Sequence, residues 1–153
     1  MVSAYFADTS FLCAVLRVQD NTPQAVACAH KIDAPIAISS LILFEFRHSS
    51  RLQTFLFDRD RTLGFSAAES ATILDAFRKR MDSGAFIVAS VEWAEVYSCA
   101  ERLSVQFAQE LGVRPLDLLH VATALHLGAR YFLTMDALQA KLAKAAGLKV
   151  KPG

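Results

Sequence analysis

At 153 residues and 16.8 kDa, with 54% hydrophobic residues and a mean hydropathy of +0.31, the chain has the size of one domain. It can bury a large core, which excludes a disordered protein. Its 16 basic and 15 acidic residues leave a net charge of +1, which excludes a basic arm or an acidic tail.

Apolar stretches without charge, such as residues 34–44, fall well short of the ~20 residues that span a membrane. Asp8 interrupts the N-terminal run before a secretory signal core can form. Cys13, Cys28 and Cys99 are odd in number and contain no C-x-x-C pair, so reduced, buried thiols in the cytoplasm are expected. The reading is one cytoplasmic domain over residues 1–153.

In chain order, residues 4–7 read as a strand that ends at Asp8, and residues 10–18 carry helical spacing. Thr22 and Pro23 open a second helix, with Thr22 as its cap. Asp33-Ala34-Pro35 breaks it, and residues 36–38 form a second strand. Ser39 or Ser40 caps a long helix that carries Glu45 and His48. Ser66-Ala67-Ala68-Glu69 has capping-box spacing and starts a helix that stops near Gly84. Residues 86–89 are a third strand, and a helix follows to Leu111-Gly112. Pro115 opens the next helix, which reaches Gly128. Residues 131–134 are a fourth strand, a last helix ends at Gly147, and residues 148–151 suit a fifth strand. Strands that alternate with helices and are apolar on both faces predict a mostly parallel sheet covered by helices.

In such sheets ligands bind beyond the carboxyl ends of the strands. Asp8 directly follows the first strand and Asp136 shortly follows the fourth. Glu45 lies about a turn and a half into the helix after the second strand. Asp117 lies in the first turn of the helix opened by Pro115. Taken singly, Asp117 and Asp136 read first as helix caps. Glu45 resists so simple a reading, because it sits among Leu41, Ile42, Leu43, Phe44 and Phe46, where a carboxylate must be solvated, paired or bound to a cation. Carboxylates crowded together repel unless a cation balances them. Oxygen ligands without a His or Cys cluster suit Mg²⁺ or Mn²⁺, and such ions suit phosphoryl chemistry. Without those four acids the remaining charge is clearly positive, which favours a polyanion.

At these residues the chain resembles the PIN domain, and within it the VapC-like ribonuclease toxins of toxin–antitoxin pairs. The matching stretches are Phe6-Ala7-Asp8-Thr9-Ser10, the helix bearing Glu45, Leu116-Asp117-Leu118-Leu119-His120-Val121-Ala122-Thr123-Ala124, Phe132-Leu133-Thr134-Met135-Asp136 and Ala145-Ala146-Gly147-Leu148. The resemblance implies a three-layer α/β/α fold with a sheet of four to five strands. It implies a divalent-metal site at Asp8, Glu45, Asp117 and Asp136, with Thr9, Ser10 and Thr134 as supporting polar positions. It also implies hydrolysis of RNA to 5′-phosphate and 3′-hydroxyl ends, a homodimer, and a small antitoxin whose apolar segment covers the nuclease. Ser10 is equally readable as an N-cap.

Other chemistries leave traces that are missing here. There is no Asp-x-Asp after the first strand, no acid pair at Ala7-Asp8, no G-x-G-x-x-G and no Walker lysine loop. Gly64-Phe65-Ser66-Ala67 follows a polar stretch, and Ser66 is better used as a helix cap. His120 and His126 are six apart and do not share a helix face. A nuclease outside toxin–antitoxin systems and a PIN-like module that binds without cutting are the competing functions. Phe44, Phe55 and Phe57 suit a groove for an amphipathic helix. Arg47 with Arg51, the run Arg78-Lys79-Arg80, and Lys141 with Lys144 are basic patches able to meet phosphates.

Overall fold

The strands are short, and the sheet is longer-range in its pairing than its three-residue strands suggest. The computed structural model describes residues 2–153. Along the chain run β1 (Tyr5–Ala7), α1 (Thr9–Leu16), α2 (Thr22–His30), β2 (Ile36–Ile38), α3 (Ser40–Arg59) and α4 (Ala67–Asp82). There follow β3 (Phe86–Val88), α5 (Trp93–Leu111), α6 (Pro115–His126), β4 (Tyr131–Leu133), α7 (Ala137–Ala145) and β5 (Lys149–Lys151). The sheet has all five strands in the order β3-β2-β1-β4-β5, and every pair is parallel. The expected "mostly parallel" sheet of four to five strands is thus wholly parallel and has five. The helices pack in two groups, α1 to α4 and α5 to α7, and the fold is a three-layer α/β/α arrangement.

β1 is central, and the chain builds outward to β2 and β3 before crossing to β4 on its other side. The strand order therefore reverses between β1 and β4, where parallel sheets open a crevice at their carboxyl ends. The register aligns Tyr5, Phe6 and Ala7 with Tyr131, Phe132 and Leu133. Asp8 N–H donates to the Leu133 carbonyl at 3.0 Å, so Asp8 and Thr134 leave the sheet side by side.

Phe6, Phe11, Phe46, Phe86 and Phe132 are fully buried around the sheet. Each contributes roughly 2–3 kcal/mol relative to an exposed ring. Phe46, Phe77 and Phe86 touch in series, with ring centroids 4.9 and 6.1 Å apart, and tie α3 and α4 to β3. None of the described helices is long and apolar enough to cross a membrane.

Three local expectations change. The first helix begins at Thr9 and is capped by Asp8, whose Oδ1 accepts the Phe11 N–H at 2.9 Å, so Ser10 is not the cap. That helix stops at Leu16 because the extended Arg17 turns its carbonyl to the Thr22 hydroxyl, 2.8 Å away. Thr22 is thereby occupied in the loop, and Asn21 stands in the N-cap position of α2. Ser39 and Ser66 cap α3 and α4 as expected.

The aromatic groove is also redrawn. Phe46 is core, whereas Phe44 is 61% exposed. Phe57 lies thirteen residues from Phe44, about 140° round the helix at roughly 100° per residue. Arg59 and Arg61 stack on Phe55 and Phe57. Phe44 instead faces Trp93, Tyr97 and Leu116 across a hollow of about 450 Å³ that neither Phe55 nor Phe57 lines.

Candidate active site

The four acids come from four separate elements and line one cavity of about 490 Å³, at the crevice between the ends of β1 and β4. Thr9, Ser10, Arg114, His120 and Gln139 share its walls. The capping reading of Asp136 is correct as local geometry, Asp8 caps α1 in the same way, and these bonds are also what aims the two side chains. Asp8 Oδ1 takes the α1 cap, and Asp136 Oδ1 takes the α7 cap from the Gln139 N–H at 2.8 Å. Asp117, in the first turn of α6, accepts the Arg114 N–H at 3.1 Å. Acidic groups at three helix N-termini lie where the dipoles favour negative charge.

Asp8 is 3% exposed. Ser10 donates to its Oδ1 at 2.7 Å, and the Thr134 hydroxyl donates to its Oδ2. Ser10 in turn accepts the Met135 N–H at 2.9 Å, and Thr134 accepts the Asp136 N–H at 3.0 Å. Burial pushes the Asp8 carboxyl above its ordinary range, although Thr134, Ser10, the Phe11 N–H and His120 pull it down. A carboxylate desolvated to this degree gains from a nearby cation.

Glu45 reaches the cavity because α3 turns Phe44 to the surface and Phe46 to the core, leaving the intervening residue to face the sheet edge. Thr9 donates to its Oε2 at 3.2 Å. His120 Nε2 stands 2.6 Å from Oε1. Neither the buried His120 Nδ1 nor Glu45 Oε1 has a hydrogen-bond partner among the described residues, so the two side chains meet as a close contact, with a buried acceptor left free on each.

Arg114 forks onto Asp117, with Nε 3.0 Å from Oδ2 and Nη2 3.3 Å from Oδ1. The same Nη2 lies 3.6 Å from Asp136 Oδ2. Among the described residues no three acids or histidines form a ready-made metal cluster. The guanidinium lies between two of the acids that would build one.

The PIN-domain family model matches residues 5–145. The chain belongs to the PIN-domain family. Solved structures similar to this PIN domain include Mycobacterium tuberculosis VapC20, described as a Sarcin-Ricin loop cleaving toxin, at TM-score 0.65 and 19% identity. That match covers 97% of this chain and 99% of VapC20. FitAcB from Neisseria gonorrhoeae matches at TM-score 0.62 and 17% identity, covering 95% of each chain. VapBC2 from Rickettsia felis, solved with a DNA fragment from its promoter, matches at 0.61 and 18%, covering 96% of each. At such identities the likeness speaks for the fold. No functionally curated protein matches the sequence.

All seven residues singled out in the sequence reach this corner of the PIN domain. Asp8, Thr9, Ser10, Glu45, Asp117 and Asp136 line the cavity, and Thr134 stands behind Asp8. Three further residues went unread. His120 does not share a helix face with His126, yet its place three residues after Asp117 puts it on one face of α6 with that acid. Arg114 is also three residues from Asp117, on the other side. Gln139 is buried and its Oε1 has no hydrogen-bond partner among the described residues. No local pattern announces it. His48 is exposed and stacks on Phe44, away from the acids. The basic run at Arg78 is engaged with its own helix, pairing with Asp75 at 2.8 Å and Asp82 at 2.9 Å.

Proposed function

We propose that this PIN domain is a divalent-metal-dependent ribonuclease and the toxin of a toxin–antitoxin pair. The observation that carries the reading is the convergence of Asp8, Glu45, Asp117 and Asp136 on one cavity at the switch point of the sheet. Their donor chemistry fits a hard ion: carboxylate oxygens, an Asp8 that burial leaves short of a counter-charge, and the unpartnered Gln139 Oε1. Asp8, Glu45, Asp117 and Asp136 would hold Mg²⁺ or Mn²⁺, which lowers the pKa of a bound water and offsets charge on the phosphate.

The chain's own residues do the positioning. Ser10 and Thr134 fix both oxygens of Asp8, Thr9 holds Oε2 of Glu45, and His120 packs against its Oε1. Hydrolysis breaks the bond from phosphorus to the 3′ oxygen, with water adding to phosphorus, so the products carry 5′-phosphate and 3′-hydroxyl ends. A module that only binds RNA would gain nothing from crowding acids beside a polyanion.

The toxin part of the reading leans on the likeness to VapC20 and VapBC2. The hollow of Phe44, Trp93, Tyr97 and Leu116 suits the apolar anchors of an antitoxin helix. Leu116 lines both this hollow and the acidic cavity, so a bound partner lies within reach of the acids. The protein is read as a cytoplasmic homodimer in which each copy is one domain over residues 1–153. The test is incubation of pooled cellular RNA with purified protein stripped by EDTA. Cleavage restored by Mg²⁺ or Mn²⁺ supports the reading, and intact RNA under every metal overturns it.

A further inference from the structure

Among the side chains that line the acidic cavity, Arg114 is the one that is permanently cationic. Its guanidinium bridges Asp117 and Asp136, at 3.0 and 3.3 Å from the first and 3.6 Å from the second. The two ends of this contact differ in burial. The Arg114 side chain is 67% exposed, whereas that of Asp117 is 9% exposed. The acids are anchored by α6 and α7, while the arginine approaches from solvent on a flexible stem that can leave without disturbing the core.

We propose that Arg114 is the internal counter-ion of the metal-free cavity, holding the charge of Asp117 and Asp136 in the place of the divalent ion that must displace it. The proposal rests on the metal reading given above and adds a competitor that the reading does not require. A fork onto Asp117 and a single longer contact to Asp136 from a solvent-exposed guanidinium are strong enough to order the acids and weak enough to be exchanged. An exposed pair of this kind shifts an equilibrium by no more than roughly tenfold. A divalent ion bound by three or four carboxylates exceeds that easily.

The direction of the effect separates this role from a purely structural one. If Arg114 only held the acids in place, its removal would loosen the site and weaken metal binding. If it competes for them, its removal strengthens metal binding. Mn²⁺ is titrated calorimetrically into the purified chain without RNA, for wild type, Arg114→Gln, Arg114→Lys and Arg102→Gln. Arg102 is exposed on α5, outside the cavity lining, and reports the effect of losing one charge at a distance. Arg114→Gln should bind Mn²⁺ roughly three- to tenfold more tightly than wild type. Arg114→Lys, which keeps the charge and loses the fork, should fall between them. Arg102→Gln should match wild type.

Unchanged or weaker Mn²⁺ binding in Arg114→Gln overturns the proposal and leaves the metal reading standing. A gain equalled by Arg102→Gln also overturns it, because charge alone would then suffice. No heat of binding in any variant removes both the proposal and the metal reading.

Discussion

The Thr134 hydroxyl donates to Asp8 Oδ2, joining residues 126 positions apart at the ends of two neighbouring parallel strands. β1 and β4 bring the two together, and the threonine then serves Asp8 and the Asp136 N–H at once. Replacing Thr134 with the similarly shaped Val removes the donor and keeps the packing. RNA cleavage should fall by about 10- to 100-fold, the usual cost of losing a partner that orients a metal ligand. Thr134→Ser, which restores the hydroxyl, should recover most of the rate. Initial rates on a common RNA substrate decide the matter.

Burial raises the Asp8 carboxyl, and the sign of its effect on stability follows. The native state holds the Asp8 proton more tightly than the unfolded chain does. Its contribution is therefore fully present below the ordinary carboxylate range and is lost as pH rises through the raised native value. Asp8→Asn removes that loss. Without metal, thermal unfolding from mildly acidic to neutral pH should show a decline in wild type that is shallower in Asp8→Asn, and a higher Tm for the variant at neutral pH. Mn²⁺ should stabilise wild type and leave the variant nearly unchanged.

His120 and Glu45 form the other short contact of the cavity, at 2.6 Å. His120→Ala deletes a buried ring that packs against Glu45 Oε1. Urea unfolding should report a loss of about 2 kcal/mol, the order expected for emptying a buried side-chain site. Cleavage should fall together with stability, and Thr9→Val should produce a smaller version of both losses.

Much of this arrangement was legible in the residues. β1 and β4 end where the apolar runs Tyr5-Phe6-Ala7 and Tyr131-Phe132-Leu133 meet polar residues, which placed Asp8 and Asp136 at one sheet edge. Glu45 stood out because a charge inside Phe44-Glu45-Phe46 needs a reason. The helix starts were less secure. Asp8, Thr9 and Ser10 are all good capping residues, and only the sheet register decides that Asp8 takes the cap. Arg114 and His120 were hidden for a different reason. Arg114 has a local partner in Asp117, three residues on, but its second partner Asp136 and the Glu45 neighbour of His120 lie on other elements, and a contact between elements has no signature in local periodicity. The aromatic cluster shows the limit of counting: Phe44 and Phe46 are two positions apart and face opposite environments.

Phe44 offers a test of the partner. Exposed on α3, it should tolerate Phe44→Ser with a stability change within about 0.5 kcal/mol. Wild type induced in a bacterium should arrest growth, and co-expression of the upstream neighbouring gene should lift the arrest. Phe44→Ser should still arrest growth and be rescued less well. Equal rescue of both proteins would place the antitoxin elsewhere.

The central claim is that four carboxylates cut RNA through a metal-dependent addition of water, and the ends of the fragments test it most directly. RNA cleaved by wild type with Mg²⁺ or Mn²⁺ should carry 5′-phosphate and 3′-hydroxyl ends, read by ligation-dependent end mapping. The same mapping should find no such ends after EDTA treatment or with folded Asp8→Asn or Asp117→Asn. Fragments ending in 2′,3′-cyclic phosphate, or full cleavage by both variants, would contradict the account.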